Sequence, residues 1–239
     1  MGSDDRFRKL KEKQKTQTKR ASAKKEPYEK FLIVCEDTVS GYHYLKDVIK
    51  HFKLSTANVS IVGLGQSPIS IVEHANSRFT DEKRSYRPDF DKVFCVFDRD
   101  THSTFFEAKQ KIEAINKKLK KPIFDAIPSD PCFEIWLIIH FRYTSKLYEK
   151  SGKKSAANIV VDDLRMLLPQ YQKGYTKAFH DTFQLMTKAI ENSKKLKDYC
   201  KKNGTESPRT DIDKMIEYII EQHESKKKPK TKSEDRHNT

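Results

Sequence analysis

Short, continuous apolar runs alternate with amphipathic stretches along the middle of the chain, and this alternation constrains the fold more than any other feature. The runs are Phe31–Cys35, Val59–Val62, Lys92–Phe97 and Pro122–Ile127. A strand that is covered on both faces needs apolar residues at consecutive positions rather than at every second position. Strands that alternate with helices form βαβ units. We therefore predict an α/β core built on a parallel sheet of about four strands. Within this core we predict a helix from Pro68 to about Phe79, a charged loop over 80–88, and a helix that Pro131 opens.

From about residue 144 the pattern becomes helical. The spacing of apolar residues predicts helices over 160–168, 178–201 and 211–222, and no further strand. The predicted organisation has four parts: a basic tail at 1–28, the α/β core at 29–143, a helical C-terminal extension at 144–224, and a second basic tail at 225–239. The extension either packs on the core or forms a small subdomain.

The chain has 239 residues and a formal net charge of +14, most of it near the two ends. Residues 1–26 carry a net charge of +6, and residues 225–239 carry +4. Because both tails lack apolar periodicity, we predict that they are disordered. Basic arms attract nucleic acid by neutralising phosphates and releasing counterions, although such tails also serve simply to keep a protein soluble. No apolar run is long enough to cross a membrane, so we expect a cytoplasmic protein without a membrane partner.

Acidic residues follow two of the predicted strands. Glu36 ends the first apolar run, and Asp98 and Asp100 end the third. Open parallel sheets bind ligands at the carboxyl ends of their strands. Carboxylates that are brought together repel each other and are stabilised by a divalent cation such as Mg²⁺ or Mn²⁺. We therefore predict that these three acids bind such an ion, the alternative being that each is an ordinary loop or helix-capping residue.

Three segments of the chain resemble the RloB-like family, also known as AbiLii. They are Phe31-Leu-Ile-Val-Cys-Glu36, Val96-Phe-Asp-Arg-Asp100 and Ser129-Asp-Pro-Cys-Phe-Glu-Ile-Trp-Leu-Ile-Ile-His-Phe141, and the third is the most specific. A weaker similarity lies at Ser207–Asp213. The family is similar to Toprim proteins, so the resemblance implies a Toprim-like parallel sheet flanked by helices.

The resemblance also implies roles for the acids. Glu36, Asp98 and Asp100 match the Toprim metal-binding acids, and Glu134 would be a further acid that takes part in catalysis. The implied activity is that of a Mg²⁺- or Mn²⁺-dependent endonuclease acting on DNA or RNA, tRNA included. The implied setting is bacterial antiviral defence by abortive infection, beside a partner ATPase of the RloA or AbiLi type.

One position departs from the family pattern. The family continues its first motif as Glu-Gly, whereas this chain reads Glu36-Asp37. The loss of that glycine changes how closely the backbone can approach a phosphate. It keeps open an alternative function, namely a binding module with reduced turnover that recognises nucleic acid or a nucleotide signal.

Two basic side chains are candidates for contact with the substrate. His102 follows the acidic pair directly, where it could contact a phosphate, although a histidine at the start of a helix is commonly solvated. Lys173 lies in a loop-like stretch, where it could supply a cation near the charge that develops during cleavage. In a chain this rich in lysine, the alternative is that Lys173 is only a surface residue.

Overall fold

A computed structural model describes residues 29–54, 59–84, 90–99 and 103–227. Both predicted tails therefore lie outside the described residues, except for the first residues of the second tail. Asp100 and His102 also lie outside them.

The core is a five-stranded sheet with the strand order β2-β1-β3-β4-β5. Its strands are β1 (Phe31–Cys35), β2 (Val59–Gly63), β3 (Lys92–Asp98), β4 (Phe124–Asp130) and β5 (Arg209–Thr210). The first four strands run parallel to one another, and β5 is antiparallel to β4. This mostly parallel sheet confirms the predicted α/β class.

Helices cover the sheet and continue into the C-terminal part of the chain. They are α1 (Ser40–His51), α2 (Pro68–Arg84), α3 (Phe105–Leu119), α4 (Glu134–Phe141), α5 (Ala156–Leu167), α6 (Ala178–Thr182), α7 (Met186–Asn203) and α8 (Ile212–Lys227). A short 3-10 turn joins α6 to α7. Among the described residues, no helix has the length and apolar character needed to cross a membrane.

The first and third strands are apolar at nearly every position because the sheet is buried on both faces. Side chains of alternate strand residues face opposite sides. Leu32, Val34 and Cys95 pack with α2 and α3 on one face. Ile33 and Phe94 pack with α1 and with the C-terminal helices on the other face. The continuous apolar runs therefore reflect a three-layer arrangement.

The C-terminal extension packs on the core rather than standing apart. Helix α4 is buried on all sides, since it lies between the sheet and helices α5 and α7. Tyr218 of α8 contacts the rings of Phe31 and Phe94 edge-on, with centroid distances of 5.3 and 5.2 Å. Apolar residues of the core and of the extension thus form one continuous cluster.

Strand β5 corrects the prediction that the extension contains no strand. It has only two residues, which is too short for an alternating pattern to be visible in the sequence. The Thr210 hydroxyl lies 3.0 Å from the Ser129 hydroxyl, and the Asp211 N–H donates to the Pro128 carbonyl at 2.9 Å. These bonds join the extension to the edge of the sheet.

Two predicted helix boundaries are also wrong. We expected a charged loop from Thr80, but α2 continues to Arg84, because Glu82, Lys83 and Arg84 favour helix and the last two complement the helix dipole at its C-terminus. We expected Pro131 to open the next helix, which instead begins at Glu134.

Candidate functional site

Glu36 and Asp98 lie at the ends of neighbouring strands. Strands β1 and β3 pair in register up to Cys35 and Val96, and the Glu36 N–H donates to the Val96 carbonyl at 2.8 Å. The Asp98 N–H in turn donates to Glu36 Oε2 at 3.1 Å. The backbone of β3 therefore holds the Glu36 carboxylate at the carboxyl end of the sheet, where the sequence placed both acids.

The Asp98 carboxyl group is surrounded by other negative charges. Its side chain lies on the same face of the sheet as Phe94 and Val96, which is the face that α1 and α4 cover. Burial, followed by the charges of Glu134 and Glu36, raises the pKa of Asp98 well above its ordinary value, and a hydrogen bond from the Phe133 backbone opposes the rise. Carboxylates that destabilise one another in this way create a site that favours a cation.

Glu134 is the third acid of this cluster. It is the first residue of α4 and is only 4% exposed. An acid in the first turn of a helix complements the helix dipole, which accounts for part of its position. Glu134 is also the largest single charge acting on the Asp98 pKa. Burial raises the pKa of the Cys132 thiol, and the charges of Glu134 and Asp98 raise it further. The helix dipole and the acidic cluster therefore both act on this carboxylate.

Asp37 caps helix α1. Its Oδ1 accepts a hydrogen bond from the Val39 N–H at 2.7 Å, and its Oδ2 accepts one from the Gly41 N–H at 2.6 Å. The residue that departs from the family pattern thus satisfies backbone donors at the start of the helix. The sequence does contain a signal for this role, because an aspartate directly before an amphipathic stretch is a typical helix cap.

Arg99, between the two predicted aspartate ligands, is anchored to the end of β4. Its N–H donates to the Ser129 carbonyl at 2.8 Å, and its Nη1 lies 2.7 Å from Asp130 Oδ2. The guanidinium group lies over the rings of Phe105 and Phe106, on the face of the sheet opposite Asp98. Arg99 therefore fixes the backbone of the segment that carries Asp98. No pattern in the sequence indicates this role.

Of the other predicted site residues, the structure describes only Lys173, which it does not bring into contact with the three acids. Lys173 is exposed and lies between α5 and α6. Tyr171, which the sequence analysis missed, donates from its hydroxyl to Glu134 Oε1 at 2.9 Å. Asp100 and His102 lie outside the described residues.

The donor chemistry of the cluster fits a hard divalent cation. Glu36, Asp98 and Glu134 supply carboxylate oxygens, which are the ligands that Mg²⁺ and Mn²⁺ prefer. A bound cation would also offset the repulsion that raises the Asp98 pKa. Among the residues that the structure describes, no group of three or more His, Cys, Asp or Glu side chains forms a ready metal site. The metal assignment, which includes Asp100, therefore stays a prediction.

Comparison with known proteins agrees with the resemblance seen in the motifs. A family model described as RloB-like protein matches residues 31–219. No curated protein and no solved structure matches the chain. The matched range begins at β1 and ends within α8, so it contains the complete sheet and the cluster of Glu36, Asp98 and Glu134. The chain belongs to the RloB-like protein family.

Proposed function

We propose that this protein is a cytoplasmic, Mg²⁺- or Mn²⁺-dependent nuclease that hydrolyses phosphodiester bonds in DNA or RNA. Its proposed setting is bacterial antiviral defence beside a partner ATPase. The observation that carries the proposal is the convergence of Glu36 and Glu134 on Asp98 at the carboxyl end of a parallel sheet. Structural acids rarely gather in this way, because each disfavours the ionised form of the others.

The four acids divide into two roles in this proposal. Glu36, Asp98 and Asp100 would hold the cation, which when bound polarises the phosphoryl group and stabilises the attacking and leaving oxygens. The Asp98 N–H keeps the Glu36 carboxylate in place. The buried Glu134 carboxylate would orient a water molecule and accept its proton. The Lys173 ammonium group would stabilise the negative charge that develops on the phosphate.

The experiment is a cleavage assay with Mg²⁺ or Mn²⁺ on plasmid, single-stranded DNA and tRNA. Wild-type protein should cleave at least one of them, and Glu36→Gln and Asp98→Asn should abolish that cleavage. Glu113→Gln, an exposed change on α3, is the matched control and should cleave like the wild type. Absence of wild-type cleavage of all three substrates with both ions, or equal cleavage by every variant, would contradict the proposal.

A second candidate function is a binding module with reduced turnover, and the cap formed by Asp37 favours the reduced turnover, because it occupies two backbone donors that could position a phosphate for cleavage. The Asp37 carboxylate accepts from the Val39 and Gly41 N–H groups, which would otherwise be free to bind a phosphate at a helix N-terminus. This function predicts binding of labelled tRNA or single-stranded DNA in Mg²⁺ without cleavage. It also predicts tighter binding by Asp37→Gly, which frees those donors. Cleavage by the wild type would exclude it.

A further inference from the structure

A loop from the C-terminal extension reaches the acidic cluster. Residues 168–177, which we call the Tyr171 loop, connect α5 to α6. Tyr171 is only 2% exposed, although it lies in a connection between helices. Its hydroxyl donates to Glu134 Oε1 at 2.9 Å. A buried aromatic residue at such a position indicates that the loop has a fixed place in the fold rather than a free course over the surface.

The backbone around Tyr171 is held by helix α5 and its C-terminus. The Tyr171 N–H donates to the Leu168 carbonyl at 2.9 Å, and the Tyr171 carbonyl accepts from Arg165 Nε at 3.2 Å. With both backbone groups bonded and the ring buried, the hydroxyl has little freedom to leave Glu134. The bond to the carboxylate is therefore preorganised by the fold.

The Tyr171 loop is also attached to the first turn of α1. The Gly174 N–H donates to Ser40 Oγ at 3.1 Å. Gly174 has a φ of +85°, and a Cβ built on it would lie 2.9 Å from Val39 Cγ1. Only glycine allows this approach. The loop is thus attached to both helices, α1 and α4, that cover Asp98.

We propose that Tyr171 is a positioning residue, which holds the Glu134 carboxylate beside Asp98. The role of this contact in catalysis rests on the proposed function, whereas the hydrogen bonds that form it do not. One carboxylate oxygen of Glu134 is bound by the phenol, so rotation of the side chain away from Asp98 would break a buried hydrogen bond. Fixed outer partners of this kind orient acids at metal and catalytic sites.

Tyr171→Phe removes only the hydroxyl group and tests the proposal. The matched control is Tyr148→Phe, because Tyr148 is also buried and donates to a partly buried carboxylate, Asp163, at 3.0 Å. A structural role alone predicts that both variants melt at lower temperature without further effect. A positioning role predicts, in addition, a specific change in how Glu134 acts on Asp98.

The first measurement is made without metal. Asp98→Asn should raise the melting temperature in EDTA, because it relieves repulsion from Glu134. In the Tyr171→Phe background this rise should shrink by about half or more, because Glu134 is no longer held beside Asp98. The Tyr148→Phe background should show the full rise. Equal rises in all three backgrounds, or no rise in the wild-type background, would overturn the proposal.

The second measurement is a titration with Mn²⁺, followed by thermal melting. Tyr171→Phe should raise the apparent Kd for Mn²⁺ by about tenfold, because a Glu134 carboxylate that has turned away adds less negative charge beside the ligand Asp98. Tyr148→Phe should leave it unchanged. A wild-type protein that binds Mn²⁺ with the same Kd as Tyr171→Phe would overturn the positioning role and leave the nuclease proposal intact. Suppose instead that Mn²⁺ does not change the melting temperature of the wild type, while the rise caused by Asp98→Asn in EDTA still shrinks in the Tyr171→Phe background. That result would overturn the nuclease proposal and leave the positioning role intact.

Discussion

The ionised form of Asp98 destabilises the folded protein, because the side chain is buried near other carboxylates. At pH values between the ordinary pKa of 3.8 and the raised pKa of the folded state, the folded protein keeps a proton that the unfolded chain has released. The free energy of unfolding therefore falls as pH rises through this window, and the full cost is present above it. A residue that destabilises its own fold in this way is typical of a functional site.

Asp98→Asn should therefore stabilise the metal-free protein at pH 7.5, because it removes the buried charge whose repulsion by Glu134 and Glu36 raises the Asp98 pKa. The advantage should shrink as the pH falls towards 3.8 and disappear below that value, where Asp98 is protonated in both states. Melting in EDTA across this pH range measures the difference between variant and wild type. A constant difference at all pH values would show that the Asp98 charge does not cause it.

His140 has the opposite effect on the pH dependence of stability. It is fully buried in α4, with its Nδ1 2.8 Å from the Trp136 carbonyl and its Nε2 3.3 Å from the Tyr44 hydroxyl. Burial lowers the pKa of His140 from 6.5 to about 4. In this window the unfolded chain takes up a proton that the folded protein does not, so stability falls as the pH drops.

The contribution of His140 to this loss should reach about 3 kcal/mol between pH 6.5 and 4. His140→Gln cannot take up the proton, so its unfolding free energy should depend less steeply on pH, even though the variant is less stable at pH 7. Urea titrations at several pH values measure the slope. Equal slopes for wild type and His140→Gln would refute the assignment.

At the scale of elements, a buried ion pair joins the last two helices. Asp213 of α8 is fully buried and accepts hydrogen bonds from Ser193 at 2.8 Å and from Lys197 at 2.5 Å, both in α7. A second pair, Lys194 with Glu217, connects the same helices at the surface. Removing one partner of a buried pair costs far more than removing one partner of an exposed pair, since the remaining charge is left without compensation.

Lys197→Ala leaves the buried Asp213 carboxylate without its cation and should lower the free energy of unfolding by about 3 kcal/mol. Glu217→Ala should lower it by less than about 1 kcal/mol. Denaturant unfolding of the two variants makes the comparison within one helix pair. Similar losses from both variants would show that burial does not decide the strength of this contact.

The sequence predicted helices and strands well where a long run of apolar residues indicates a buried element. Mostly apolar runs identified β1 to β4, because a strand buried on both faces has few polar positions. The same reasoning placed Glu36 and Asp98 at neighbouring strand ends. It could not identify β5 or Tyr171. Tyr171 meets Glu134 across 37 residues of intervening chain, and its place depends on how the extension packs on the core.

At the scale of the whole molecule, the charge of the tails should govern general attraction to nucleic acid. Deleting residues 1–26 and 228–239 removes net charges of +6 and +2 and leaves α8 and Glu29 in place, which matters because Tyr218 donates to Glu29. The trimmed protein should bind non-specific DNA more weakly and with a flatter dependence on salt. Binding measured at several salt concentrations gives the slope. An unchanged slope would indicate that the tails only aid solubility.

The contact of α8 with the first and third strands has a consequence for the order of synthesis. Tyr218 closes the core over Phe31 and Phe94, and its bond to Glu29 spans 189 residues of chain. Contacts so distant in sequence form late and slow the completion of a fold. A chain still being translated therefore carries Glu36 and Asp98 for most of its synthesis with an unfinished core around them. The activity that we propose for these acids should begin only when nearly the entire matched region has been made.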